Sequence, residues 1–194
     1  YYLVGLLAKE FLQKYPGSKI MYDPRLIWNT EAIIKQYGGK GIRCKSGHAF
    51  MKQCMRENDV IYGGEMSSHH YFRSFTCCDS GMITALLVTG IVCAAGKQLS
   101  ELVGSMEEAF PCSGEINREV QNGAQIFAVL QEKYSNGSFD TLDGLSIAFS
   151  DWRFNLRASN TEPVIRLNVE TRGDRALLKE KTEELLQLIG GNPA

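Results

Sequence analysis

Apolar residues along this chain recur first at a helical spacing and then in short strand-like runs. Leu3, Leu6, Leu7, Phe11 and Leu12 share one helical face, which predicts a helix over residues 3 to 15, ended by Pro16-Gly17. "KIMYD", 19 to 23, reads as a strand, residues 26 to 37 as a helix stopped by Gly38-Gly39, and "KGIRC" as a second strand. "SGHAFMKQCMREND" predicts a helix with Ser46 near its N-cap, and "VIYGG" a third strand. A polar loop is expected from Glu65 to Thr76, then a long apolar helix from Gly81 to about Ala95 behind Asp79-Ser80. Strands alternating with helices imply a mostly parallel sheet covered on both faces.

The pattern changes near residue 96. The next stretch is more polar and carries turn signals at Gly104 and Pro111, which reads as a linker. Beyond it the chain predicts a strand near 115 to 118 and a helix from about 122 to 134. Strands near 145 to 149, 152 to 157 and 164 to 170 precede a last helix from about 174 to 189. The expected fold is therefore α/β followed by α+β. A three-layer α/β/α mixed-sheet domain spans 1–98, a linker or hinge 99–110, and a smaller domain of antiparallel sheet packed by helices 111–194.

Composition narrows the partners. The 194 residues are 44% hydrophobic and 22% charged, with a formal net charge of −1. That balance gives no electrostatic case for nucleic acid or an anionic membrane, so any bound anion must be held locally. The apolar run from Ile83 to Ala95 is short and broken by Gly90, which argues against a membrane span. None of the 6 cysteines has CxxC spacing, so free thiols in a reducing, cytoplasmic setting are expected. The chain opens on Tyr1, already inside an amphipathic pattern and with no Met, as a piece of a longer protein would.

Two loops carry candidate chemistry. In "FNLRASNTEP", 154 to 163, Arg157, Ser159, Asn160 and Thr161 sit between two strand-like runs. Arginine offers a planar fork of donors, the hydroxyls and amide add more, and Asn tolerates the left-handed backbone of an anion nest. These residues suit a phosphate; a plain polar hairpin turn would use similar ones. In "YGGEMSSHHYFR", 62 to 73, Gly63-Gly64 allow a tight exit from a strand. Glu65, Ser67 and His69 then offer a carboxylate, a hydroxyl and an imidazole, a set that suits a sugar. His69 and His70 as joint metal ligands is the competing reading. Adjacent residues of an extended chain face opposite ways, so no metal site is expected. Arg25 in "DPR" and His48 in "KSGH" follow other strand ends and would reach the same rim.

The pair "GEMSSHHYFRSF…DSG" and "RASNTEPVIRLNVE", with "WNT" at 28 to 30 and "KSGHAF" at 45 to 50, resembles the α-D-phosphohexomutase family, and within it the bacterial phosphomannomutase group. The resemblance covers essentially the whole chain. It implies the third and fourth of the family's four domains, with neither the TxSHNP-type serine loop nor the DGDxDR-type loop for Mg2+. The full-length enzyme would need Mg2+, bound by a domain outside this chain. It would interconvert mannose 1-phosphate and mannose 6-phosphate through a phosphoserine and a bisphosphorylated sugar that turns around in the cleft. The resemblance implies that Glu65 and Ser67, with His69 in the same loop, read sugar hydroxyls. It implies that Arg157, Ser159, Asn160 and Thr161 hold the non-reacting phosphate. Arg25 and His48 would assist near the transferring phosphate, no catalytic residue lies in this chain, and the missing N-terminal domains are its partner. The chain alone is then expected to bind hexose phosphate but not turn it over. Alternatives are a phosphoglucomutase or phosphoglucosamine mutase, or a non-catalytic phosphosugar-binding module. Ser68 departs from the Gly that many family members carry in GEMSGH, which matters if the loop needs a positive φ there.

Overall fold

The structure is a computed structural model that describes residues 1–159 and 163–194. The chain divides into two compact units, Tyr1–Ala109 and Phe110–Ala194.

The first unit is a three-layer α/β/α arrangement. Strands β1 (Lys19–Tyr22), β2 (Lys40–Arg43), β3 (Tyr62–Gly64), β4 (His70–Phe72) and β5 (Cys78–Asp79) form a sheet in the order β2-β1-β3-β4-β5. β1 pairs in parallel with β2 and β3, whereas β4 and β5 run antiparallel, so the sheet is mixed. Helices α1 (Tyr2–Lys14) and α2 (Trp28–Gln36) lie on one face and α3 (His48–Asn58) on the other. Side-chain alternation decides which residue meets which layer. Met21 and Tyr71 point to α3, where they pack with Met51, Met55 and Val60. On the opposite face Phe11 of α1 stacks on Tyr62 at 4.9 Å, and Tyr62 and Phe72 are buried beneath it. Burying each such side chain contributes roughly 1.5–3 kcal/mol. Gly64 permits this layer spacing, because a Cβ there would lie 2.8 Å from both methyls of Val4 in α1.

Two local expectations are corrected and one is sharpened. The loop from Glu65 to Thr76 contains β4 and a turn of 3-10 helix, Arg73–Phe75. Ser46 does lie near the N-cap of α3, which is the next residue, Gly47, at φ 120. The stretch expected as a linker carries a helix, α5 (Leu99–Ala109), which packs against α1. Before it runs α4 (Gly81–Ala95), the long apolar helix, whose N-cap Ser80 accepts from the Ile83 N–H. No single helix among the described residues is long and apolar enough to cross a membrane; α4 and α5 pass together on length and composition but are bent by 95°.

The second unit is an antiparallel sheet under two helices. Its strands are β6 (Cys112–Glu119), β7 (Ser138–Asp140), β8 (Leu145–Ala148), β9 (Trp152–Ala158), β10 (Val164–Thr171) and β11 (Asn192–Pro193), in the order β11-β6-β10-β9-β8-β7. The short β7 and β11 lie outside the sequence expectation. Trp152, Phe154 and Leu156 of β9 alternate inward beside Ile165, Leu167 and Val169 of β10. Leu130 of α6 (Gly123–Lys133) and Leu185 and Ile189 of α7 (Arg175–Ile189) close this core. The opposite sheet face is polar: Arg153 and Glu170 form a buried pair at 2.7 Å, with Asn155 and Asn168 buried beside them.

Candidate functional site

The parallel strands of the first unit end at one rim, where α/β sheets place ligands. β1 leads into Asp23 and Arg25, β2 into Gly47 and His48, and β3 into Glu65, Ser67 and His69. Asp23 anchors this rim. Its Oδ2 accepts from the Met66 N–H at 2.6 Å and from Arg25 Nη2 at 2.8 Å, and its Oδ1 accepts from the Arg25 N–H at 2.9 Å. Arg25, only 4% exposed, also donates from Nη2 to Ser67 Oγ at 3.3 Å. An ion pair this buried holds its partners in place more than it stabilises the fold.

Glu65 is 3% exposed and serves as a second anchor. Its Oε1 accepts from the Gly47 N–H at 2.9 Å and its Oε2 from the Tyr71 hydroxyl at 2.6 Å. This ties the start of α3 to the loop. A carboxylate has about four acceptor positions, and these bonds occupy two of them. Burial, then the bond to Glu65, pushes the Tyr71 phenol well above its ordinary pKa, which keeps it a donor. The loop itself closes tightly: the Glu65 N–H donates to the His69 carbonyl and the Ser68 N–H to the Glu65 carbonyl. Ser68 sits at φ 69, so this position of the loop does adopt the left-handed region.

The adjacent histidines separate as their alternation requires. His70 is buried, its Nδ1 2.7 Å from the Tyr62 hydroxyl, and burial pulls its pKa down to about 4. His69 is 44% exposed and its Nδ1 lies 3.3 Å from Asp79 Oδ2. His48 reaches the other oxygen of Asp79 at 3.2 Å, and the two imidazole rings meet edge-on at 4.4 Å. The structure therefore brings Arg25, His48, Glu65, Ser67 and His69 to one rim. Asp23, Tyr71 and Asp79 complete it and were not singled out as site residues, although Asp23 stands in the quoted "DPR" and Asp79 in "DSG".

In the second unit, β9 and β10 form a hairpin closed by the Ser159 N–H to the Val164 carbonyl at 2.8 Å. Arg157 stands on β9 just before the turn, its Nη1 3.3 Å from Asp143 Oδ2. Arg166 lies directly opposite Arg157 on β10, with Nη1 3.7 Å from Glu115 Oε1. Like charges facing each other across a strand pair are unfavourable unless carboxylates or an anion offset them. This second guanidinium escaped sequence reasoning because only the register pairs it with Arg157. Asn160 and Thr161 lie outside the described residues.

Residues 1–110 match the family model "Phosphoglucomutase/phosphomannomutase, alpha/beta/alpha domain III", and residues 115–188 match "Phosphoglucomutase/phosphomannomutase, C-terminal domain". The chain belongs to the phosphoglucomutase/phosphomannomutase family. It is 56% identical over 191 residues to a phosphomannomutase of Escherichia coli, which covers 97% of this chain and 42% of that protein. It is 52% identical over 193 residues to the phosphohexose mutases of Xanthomonas campestris pv. campestris, which covers 98% of the chain and 43% of the relative. A crystal structure of a phosphoglucomutase/phosphomannomutase family protein from Burkholderia thailandensis superposes with a TM-score of 0.78 at 28% identity, over 99% of this chain and 42% of that one. The chain thus spans less than half the length of these relatives. Magnesium, which the family resemblance implies, prefers an all-oxygen shell. Among the described residues, the grouping of metal-ligand side chains is His48, His69 and Asp79, two nitrogens and a carboxylate, which does not fit it.

Proposed function

We propose that this chain supplies the hexose- and phosphate-recognising half of a phosphomannomutase, and that the whole protein interconverts mannose 1-phosphate and mannose 6-phosphate. The observation that carries this reading is the convergence of Arg25, His48, Glu65, Ser67 and His69 at the carboxyl ends of three parallel strands, inside a chain of this family. The unit ending at Ala109 reads the sugar. Ser67 and the spare acceptor positions of Glu65 meet vicinal hydroxyls, and His69 stands at the exposed side of the same loop. The unit from Phe110 holds the non-reacting phosphate through Arg157, Ser159, Asn160 and Thr161, with Arg166 adding positive charge opposite Arg157. Phosphoryl transfer asks a protein mainly for positioning and charge stabilisation. These two loops contribute positioning. The phosphoryl-carrying serine and the Mg2+ loop belong to sequence that the 194 residues do not contain, so the chain by itself binds without turnover. The relatives named as phosphohexose mutases favour a broader hexose range as the second reading.

Calorimetric titration of the 194-residue chain with mannose 1-phosphate, glucose 1-phosphate and glucosamine 1-phosphate tests both readings, beside Arg157→Ala. Binding that Arg157→Ala weakens about tenfold or more is expected, since a charge-assisted pair contributes roughly 1.5–3 kcal/mol. Equal binding in the variant would remove Arg157 from the phosphate site. Preference for mannose over the other two sugars would separate the narrow from the broad specificity.

A further inference from the structure

Asp79 lies between His48 and His69, with a different carboxylate oxygen toward each Nδ1, at 3.2 and 3.3 Å. One ligand atom from each of the three residues lies within 4.8 Å of the others. A tetrahedral zinc ion with bonds of about 2.0–2.1 Å needs ligand atoms about 3.3 Å apart. Each nitrogen–oxygen separation is close to that edge but runs to a different oxygen of Asp79, so a small rotation of the partly exposed side chains brings the three ligand atoms, now within 4.8 Å of one another, onto one ion. We propose that His48, His69 and Asp79 form a binding site for a divalent transition cation of the zinc type, and that its occupancy opposes sugar binding at the same rim.

The donor set selects the ion. Two imidazole nitrogens and a carboxylate suit zinc and its neighbours and disfavour magnesium and calcium. With the imidazole protons on Nε2, both Nδ1 atoms present lone pairs to a cation that replaces the two contacts with Asp79. The three side chains come from well-fixed backbone: His48 is the first residue of α3, His69 directly precedes β4, and Asp79 is the last residue of β5. The His69 carbonyl is held by the Glu65 N–H, and Asp79 is registered against Tyr71. The His48 ring packs edge-on to Tyr71 at 5.6 Å, which limits its rotation. Both imidazoles are nearly half exposed, so water can complete the coordination and the ion has a way in. The site leaves Glu65 and Ser67 free of the metal but engages His69 from the same loop. Its effect on sugar binding rests on the reading proposed above; the metal site itself does not.

The test is titration of the metal-free 194-residue chain with zinc by calorimetry, and with cobalt(II) by visible absorption, without sugar. One site is expected, weakened on the order of tenfold or more by His48→Gln, by His69→Gln and by Asp79→Asn, and unchanged by Cys78→Ser and by excess magnesium. Circular dichroism checks that each variant folds, and three independent positions keep the test standing if one does not. Affinity indifferent to all three changes, loss with Cys78→Ser, or a cobalt spectrum with thiolate charge-transfer bands would overturn the assignment. A second titration, with mannose 1-phosphate at saturating zinc, reads the consequence. Weakened sugar binding is expected, and unchanged sugar binding would overturn the opposition while leaving the metal site. A chain that takes zinc but no sugar under any condition would count against the proposed function and not against the site.

Discussion

At the scale of single residues, neighbouring histidines of one type take opposite roles. His69 faces the rim, half exposed, against Asp79; His70 faces α1 and is buried on Tyr62. The sequence establishes only that they alternate, and the sheet decides which one is wet. His70 sets a pH dependence. Its folded pKa is lowered from 6.5 to about 4, chiefly by burial. The unfolded chain therefore binds the extra proton first. The stability due to the neutral imidazole is full above pH 6.5 and is lost as pH falls toward 4, a change of about 3 kcal/mol. Urea denaturation across that window should show the loss in the native chain and a flatter profile in His70→Gln. Parallel profiles would place the acid sensitivity elsewhere. Ser68 shows the same contrast between identity and context. The sequence shows a small polar residue, but the positive φ it adopts is visible only in the loop.

At the scale of elements, apolar spacing made the major helices and the long strands legible. The strands that escaped were short or bore polar residues whose burial depends on a neighbour. β4 begins with His70, which reads as loop until Tyr62 is seen to receive it. α5 reads as linker because Gly104 and its acidic residues outweigh an apolar side that α1 covers. The site followed the same division. Residues at strand ends were legible from position, whereas Asp23, Tyr71, Asp143 and Arg166 act through register and tertiary contact. Asp143 depends on the element boundary just after it. Gly144 adopts φ +78 immediately before β8, and a Cβ there would collide with the Leu156 carbonyl oxygen and lie 3.1 Å from the Arg157 Cα. Gly144→Ala should cost on the order of 3 kcal/mol, combining left-handed strain with overpacking against backbone. Gly17 has similar φ but open space, so Gly17→Ala should cost only about 1 kcal/mol. Thermal unfolding of both variants separates strain from collision; equal shifts would show that the β8–β9 approach relaxes. Anion binding should weaken in Gly144→Ala alone, because Asp143 and Arg157 move together.

At the scale of the whole molecule, each unit closes a core of its own, yet the most apolar helix is only partly covered. α4 has no buried residue, and Met82 and Leu86 are 72% and 67% exposed. A shallow hollow of about 480 Å³ runs between α4 and α1, lined by Leu6, Leu86, Leu87, Ile91 and Leu102 among others. A helix apolar all round is normally covered, and a contiguous exposed patch of this kind drives association. Composition did not forewarn of this, since an apolar run reads the same whether it is covered or bare. With a net charge of −1 the chain also has little long-range repulsion to keep copies apart. It should therefore sediment with a concentration-dependent average mass and enhance the fluorescence of a dye specific for apolar surface. The double variant Met82→Lys with Leu86→Lys should suppress both while leaving the far-ultraviolet spectrum unchanged, because neither side chain packs in a core. A native chain that stays monomeric and dark to the dye at every concentration would mean that α4 finds cover in solution. The apolar hollow against α1, which the helix already borders, would then be the surface that closes.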